Sequence, residues 1–236
     1  MFLFAIFTVF KAFYSFFKIV LLIGNKNDTI MTSYRNLKND VGFLRFGSIK
    51  MHDGKVELDL LEEMDEARGF IAENKYRLAI ETLKKSLYMI DGDDYYLDKV
   101  INIYKLLGLC YRKLKMYDDG IHILNVAEEL SKKELFKKKD EFWKRELAVC
   151  YVNKAIIYDA KECLREAVAY YENAIIIFEE LNDDESKVKV MLSLKLLYNK
   201  MDRPEDAELI CKEALSLIES NCLLGYYKSY FNNIKE

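Results

Sequence analysis

Proline, glycine and histidine are scarce in this chain of 236 residues, which has one proline, nine glycines and two histidines. β-Barrels and β-sandwiches need turn residues about every 8–12 positions, so this composition disfavours them and favours long helices. His52 and His122 are too few to suit most catalytic or metal sites, and the sequence has no glycine-rich loop of the kind that binds nucleotides. The net charge of −3 does not indicate a nucleic-acid-binding protein. We therefore expect no enzymatic activity, no cofactor and no metal.

Cysteine is present five times, and no two cysteines form a C-x-x-C pair. The odd count and the apolar neighbours, as around Cys110 and Cys150, favour free thiols in a reducing compartment. We therefore expect a cytoplasmic protein.

The first 24 residues form a hydrophobic segment that differs from the rest of the chain. Residues 2–23 include seven phenylalanines and only two charges, Lys11 and Lys18. The stretch is long enough to span a bilayer, although each lysine opposes insertion. Three interpretations remain open: a membrane anchor with the rest of the chain facing the cytosol, a helix buried against the end of the domain, or translation that begins at Met31. Residues 25–55 contain several glycines and polar stretches, which predict a linker.

From about Val56 the hydrophobic pattern is helical, and it repeats. Asp202 is predicted to cap one of the helices, with Pro204 in its first turn. Small residues recur at Ala79, Gly120, Ala167 and Ala207, spaced by 41, 47 and 40 positions, and the same offsets separate their neighbours in four copies. In the best copy these neighbours are Tyr104, Leu107, Gly108, Tyr111, Leu124 and Ala127. Small residues let two antiparallel helices approach closely, and copies of such a hairpin must stack to bury their apolar faces.

This pattern resembles the tetratricopeptide repeat (TPR) family over roughly residues 58–220. The spacing is longer than the usual repeat of about 34 residues, as in the long-helix variants of kinesin light chains, cell-polarity adaptors and bacterial peptide-sensing regulators. The resemblance implies an all-α, right-handed α-α superhelix of about four helical hairpins over residues 56–221. A non-repeat helical bundle is the alternative.

Residues 222–236 are predicted to form a capping helix over the last hairpin, because a solenoid must cover its exposed end. A protruding helix that binds a partner is the alternative. The predicted apolar face of this helix consists of Leu223, Leu224, Tyr227, Tyr230, Phe231 and Ile234.

The resemblance also implies a concave groove that is lined by the first helix of each hairpin. Its apolar residues suit a partner helix or an extended peptide with apolar anchors and some acidic residues. Packing of the same residues against a helix of this chain is the alternative. The predicted partner-binding groove consists of Asn102, Lys105, Leu106, Leu109, Arg112, Lys113, Val152, Asn153, Ile156, Leu192, Leu196 and Lys200.

We therefore expect a non-catalytic adaptor or scaffold that binds a protein or peptide in the groove. The alternative is a peptide-responsive regulator that sequesters a partner. Chaperone-tail adaptors of this family hold a terminal carboxylate with a set of Lys, Asn and Arg residues. Only one of the five equivalent positions keeps a fitting residue, so we predict that this clamp is absent; the positions are Met64, Arg68, Leu106, Val149 and Asn153.

A basic segment interrupts the repeat at its longest interval. Its lysines can contact an anionic surface such as lipid headgroups; they are Lys132, Lys133, Lys137, Lys138 and Lys139. In the alternative interpretation the segment is a solvated helical extension, with Phe136, Phe142 and Trp143 turned inward.

Overall fold

The computed structural model describes residues 54–90 and 92–232, and eight long helices cover most of them. The hydrophobic segment at residues 1–24 and most of the predicted linker lie outside these residues, so the membrane-anchor interpretation stays a prediction. The helices are α1 (Gly54–Ala72), α2 (Tyr76–Met89), α3 (Leu97–Lys113), α4 (Tyr117–Lys138), α5 (Glu141–Ala160), α6 (Leu164–Glu180), α7 (Asp184–Lys200) and α8 (Pro204–Ser220). Two 3₁₀ segments, Asp94–Tyr96 and Cys222–Tyr227, and a short α9 (Lys228–Asn232) complete the order.

The long helices pack as four consecutive hairpins. Within each hairpin the two helices contact each other, and each second helix also packs against the first helix of the next hairpin. Helix α3 in addition contacts α5, so the first helices of the second and third hairpins lie side by side. The described residues contain no strand. The predicted stack of about four helical hairpins is therefore confirmed.

The turn inside each hairpin has the same geometry. After α3, for example, Lys115 adopts a left-handed conformation, and the amide of Met116 donates to the carbonyl of Tyr111 at 2.9 Å. These bonds satisfy carbonyls that the helix end leaves without partners. Asp202 occupies the left-handed position of the last such turn, so the prediction that it caps α8 was wrong. Arg203 precedes α8 instead, and Pro204 begins it as predicted. In the turns inside the four hairpins, the residues with this left-handed conformation are Asn74, Lys115, Glu162 and Asp202.

The predicted small residues lie where helices approach one another. Ala79, Gly120, Ala167 and Ala207 are all buried. A β-carbon at Gly108 would lie 3.1 Å from Cγ of Leu124. This explains why a glycine occupies the interior of α3 despite its poor helix propensity.

The close approach at Gly108 predicts a loss of stability when it is replaced by valine. The added side chain overpacks the α3–α4 contact, and we expect a loss of about 1–3 kcal/mol. Gly69 on α1 is the matched control, because a β-carbon there would meet nothing within 4 Å. Urea unfolding of Gly108→Val and Gly69→Val should show a loss only for the first. Equal effects would contradict the packing argument.

The aromatic residues near the end of α4 do not all turn inward as predicted. Trp143 is buried, but Phe136 is 85% exposed and Phe142 is 44% exposed. Helix α4 has 22 residues, whereas its partner α3 has 17. The inward prediction was therefore wrong for both phenylalanines, because helical spacing alone does not show where a neighbouring helix stops.

The C-terminal segment covers the last hairpin, but it is not one continuous helix. The 3₁₀ segment Cys222–Tyr227 and helix α9 both contact α8. Phe231 is buried against α7 and α8, while Tyr230 is 44% exposed. The predicted single apolar face is therefore wrong at Tyr230. Ile234 lies outside the described residues.

Candidate functional site

The predicted groove residues lie on α3, α5 and α7, the first helices of the second, third and fourth hairpins. All twelve are half-buried or exposed, so their side chains line a surface rather than the centre of the core. Lys113, at the last position of α3, is exposed. Among the apolar members Leu196 is 45% exposed.

A small cleft between α3 and α5 brings four of the predicted residues together. It has a volume of about 80 Å³ and is lined by Gly108, Leu109, Arg112, Asn153, Ile156 and Ile157. Leu109 and Ile156 supply apolar walls, while Arg112 and Asn153 supply polar groups. The side-chain amide of Asn153 donates a hydrogen bond to the main-chain carbonyl of Val149 at 2.9 Å, which fixes the orientation of the Asn153 side chain. The cleft can therefore hold a small aliphatic group beside a polar one.

Three other apolar residues of the predicted groove, which we call the floor residues, also pack against the cores of the hairpins. Leu106 packs against the cluster formed by α1, α2 and α3, and Val152 packs against the cluster formed by α5 to α8. Leu192 packs against the cluster beneath the C-terminal segment. Substitution of these floor residues would therefore disturb folding as well as binding, whereas the exposed Leu196 offers a cleaner test.

Two of the predicted groove cations are neutralised by acidic residues of the neighbouring hairpin. Lys105 pairs with Glu146 at 2.7 Å, and both side chains are largely buried. Lys200 pairs with Asp159 at 2.9 Å and with Glu162 at 3.0 Å. Hydrogen bonds to these two carboxylates raise the pKa of Lys200 above its ordinary value. These lysines therefore link adjacent hairpins instead of offering free charge to a partner.

Sequence reasoning did not include these acidic residues in the groove, although the repeat spacing contains the signal. Lys105 and Glu146 are 41 positions apart, and so are Asp159 and Lys200. This separation is about one repeat, so residues of opposite charge occupy neighbouring positions on successive first helices. A search for opposite charges at the repeat period would have found both pairs.

Arg112 and Lys113 differ from the other groove cations. Neither forms an ion pair with any residue between 54 and 232 that the structure describes. Burial raises the pKa of the Tyr171 hydroxyl on α6 to about 12, and the charge of Asp159 adds to this rise, whereas a hydrogen bond with Ser193 and the charge of Arg112 oppose it.

The lysines of the basic segment are only partly available to an anionic surface. Lys137 and Lys138 both pair with Glu134, at 2.8 and 3.2 Å. Lys132 pairs with Glu128 at 2.5 Å. Lys133 and Lys139 are exposed and form no ion pair within the described part of the chain. Anionic contact by this segment stays a prediction.

The residues with potential catalytic chemistry are dispersed or buried. Burial raises the pKa of the thiols of Cys110 and Cys150 to about 11, so both are protonated at neutral pH and are poor nucleophiles. His122 is exposed on α4, and His52 lies outside the described residues. Within residues 54–90 and 92–232, no group of three or more His, Cys, Asp and Glu residues is arranged to hold a metal ion.

A second concavity of about 420 Å³ lies beside the C-terminal segment and is more polar than the groove. The carboxylate of Asp183 accepts a hydrogen bond from the main-chain amide of Ser186 and forms an ion pair with Arg145. Glu185 forms an ion pair with Lys189. Its acidic groups are thus engaged by residues of this chain. The lining residues are Asn182, Asp183, Asp184, Glu185, Asn221, Tyr226 and Tyr227.

None of the helices in the described ranges has the length and apolar character needed to cross a membrane.

Comparison with solved structures identifies the fold. Aspartyl phosphate phosphatase F from Bacillus subtilis superimposes with a TM-score of 0.64 and 14% sequence identity, over 74% of this chain and 44% of that protein. TPR-like repeats of a kinesin light chain from Podosopora anserina match with a TM-score of 0.58 and 14% identity, over 69% of this chain and 76% of theirs. The chain has a TPR-type fold. The predicted right-handed α-α superhelix is thereby confirmed.

A third similar TPR-type structure is the Rap conjugation gene regulator of plasmid pLS20 in complex with the Phr* peptide, with a TM-score of 0.56 and 18% identity. It matches over 84% of this chain and 56% of its own length. The chain thus spans about half the length of this regulator and of the Bacillus subtilis phosphatase. No protein-family model matches the sequence, and no curated protein matches it.

Proposed function

We propose that this TPR-type protein is a non-catalytic adaptor or scaffold that binds a protein or peptide in its groove. The observation that carries the proposal is the cleft between α3 and α5, where Leu109, Arg112, Asn153 and Ile156 converge. An apolar wall beside a few polar groups is a common feature of peptide-binding surfaces. The four free cysteines of the described chain support a reducing compartment such as the cytoplasm.

A pull-down from the native cells of this protein tests the groove. Leu196→Asp and Leu109→Asp place a charge on its apolar surface, and we expect at least about tenfold weaker capture of the partner. Leu209→Asp is the matched control, because Leu209 is 68% exposed on α8, a second helix. Circular dichroism and urea unfolding check that all three variants remain folded, because Leu109 also packs against the core cluster of α1, α2 and α3. A partner that both groove variants capture normally would exclude the groove as its binding site.

The second candidate is a peptide-responsive regulator that sequesters a partner. The similarity to a Rap regulator in complex with a peptide favours this candidate. The measurement that separates the two is small-angle scattering of the full chain with and without a bound peptide. A regulator would change its dimensions when the peptide binds, whereas a passive scaffold would keep them.

A further inference from the structure

We propose that Arg112 determines the specificity of the groove by binding a carboxylate of a peptide ligand, next to the aliphatic side chain that enters the cleft. This inference rests on the proposed function and adds the chemical class of the ligand. The predicted ligand is a peptide with an acidic residue close to a leucine, isoleucine or valine.

The balance of charge along the groove singles out this position. Lys105 is neutralised by Glu146, and Lys200 is neutralised by Asp159 and Glu162. Arg112 lines the cleft and has no carboxylate partner in the described chain. A guanidinium beside an apolar surface can bind a carboxylate with two parallel hydrogen bonds, which gives geometric specificity as well as affinity.

The spacing on α3 limits the ligand further. Leu109 and Arg112 are three residues apart, so they are separated by about 4.5 Å along the helix axis. An extended peptide advances by about 3.3–3.6 Å per residue. We therefore expect the acidic residue to lie one to three positions from the aliphatic residue. The exposed Lys113 follows Arg112 at the last position of α3.

A long polyanion such as a nucleic acid fits this surface less well than a peptide. A polyanion needs a row of free cations, but Lys105 is already paired with Glu146, and Lys200 with Asp159 and Glu162. Phosphates that extend beyond the cleft would therefore find no free charge on these two lysines. A single carboxylate needs only the charge that Arg112 supplies.

Two matched peptide libraries test the proposal with the full chain. Both consist of immobilised nonapeptides with a central Leu, Ile or Val and random neighbours, but one library permits Asp and Glu where the other permits only Asn and Gln. We expect the wild-type protein to bind the acidic library at least about tenfold more strongly. Arg112→Ala should remove this preference, and Arg112→Lys should retain part of it. Arg165→Ala is the control, because Arg165 is exposed on α6.

The outcomes separate this inference from the proposed function. Equal binding of both libraries, or an acidic preference that survives Arg112→Ala, would overturn the role of Arg112 and leave groove binding intact. A loss of preference in Arg165→Ala as well would also overturn it, since the effect would then be general charge attraction. Failure of both libraries to bind, together with a partner that is unaffected by Leu196→Asp, would overturn the proposed function itself.

Discussion

Replacement of Glu128 by alanine is expected to cost about 3 kcal/mol of folding stability, because it leaves the buried Lys154 without its counter-ion. The ammonium of Lys154 lies 2.6 Å from the carboxylate of Glu128, and only 3% of this lysine is exposed. The aromatic ring of Tyr170 lies 4.2 Å from the ammonium, but its face cannot replace a full negative charge. The pair joins α4 to α5, so the loss affects the contact between the second and third hairpins.

Urea unfolding measures this effect, and the neighbouring residue provides the control. Glu129 is exposed on the same helix, so Glu129→Ala should change the free energy of unfolding by less than about 0.5 kcal/mol. The double variant Glu128→Ala/Lys154→Met removes both charges and should recover much of the loss. A single variant as stable as the wild type would show that Lys154 is not held by this ion pair.

The ion pair between Glu128 and Lys154 makes the stability loss of Glu128→Ala depend on pH in a defined way. Burial opposes ionisation of Glu128, but hydrogen bonds from Lys132 and Lys154 outweigh it, so the pKa of Glu128 is lowered below 4.5. A carboxylate with a lowered folded-state pKa contributes stability above its unfolded-state pKa and loses it in acid. The difference between wild type and Glu128→Ala should therefore persist at pH 7 and shrink as the pH falls below about 4.5.

Burial also acts to lower the pKa of Lys154, but hydrogen bonds to Glu128 and Tyr170 outweigh this and raise the net pKa above 10.5. Its contribution is therefore complete below pH 10.5 and is lost only as the pH rises through the raised value. Between these two limits both members of the pair stay charged in the wild type, so its contribution to stability is constant. A difference that shrank between about pH 6 and 9 would show that Lys154 loses its proton in the variant, where burial lowers its pKa without opposition from Glu128.

Replacement of Phe231 by alanine is expected to destabilise the last hairpin by about 3–5 kcal/mol. The side chain of Phe231 is 2% exposed and packs against Val188, Met191, Ala214 and Ile218. These residues belong to α7 and α8, which form the end of the stack. Because an end repeat has a neighbour on one side only, its apolar surface depends on this cover.

Hydrogen exchange locates the effect along the stack. Amides of α7 and α8 should exchange faster in Phe231→Ala, while those of α1 and α2 should change little, since each hairpin contacts its neighbours only. Tyr230→Ala is the matched control, because the side chain of Tyr230 is 44% exposed. Uniformly faster exchange in all eight long helices of the described chain would instead show that the whole array unfolds as one unit.

The main chain of Phe231 holds a second buried lysine in place. The ammonium of Lys195 donates to the carbonyl of Phe231 at 2.7 Å, and Lys195 is only 5% exposed. The substitution of Phe231 keeps this carbonyl, so the variant tests the apolar cover rather than the hydrogen bond. Exchange that remained slow in α7 would show that the aromatic side chain of Phe231 does not protect this helix.

The sequence by itself determined the class of fold and the register of the hairpins. Helical periodicity and scarce turn residues predict long helices, and small residues such as Ala79 and Gly120 predict where those helices meet. These inferences hold because they depend on local spacing and on the volume of single side chains, which are properties of the sequence. The predicted groove residues are surface-accessible for the same reason, since the repeat offset determines which face of the first helix each residue occupies.

Only the tertiary structure decided which charges of the predicted groove are free and which aromatic residues are covered. Lys105 and Lys200 carry the same charge as Arg112, but carboxylates about one repeat away neutralise the two lysines. Phe136 and Trp143 both have large aromatic side chains, yet only Trp143 has neighbouring helices around it. Ion pairing and burial depend on residues brought together from different hairpins, so they follow from the stacked arrangement and not from the local pattern.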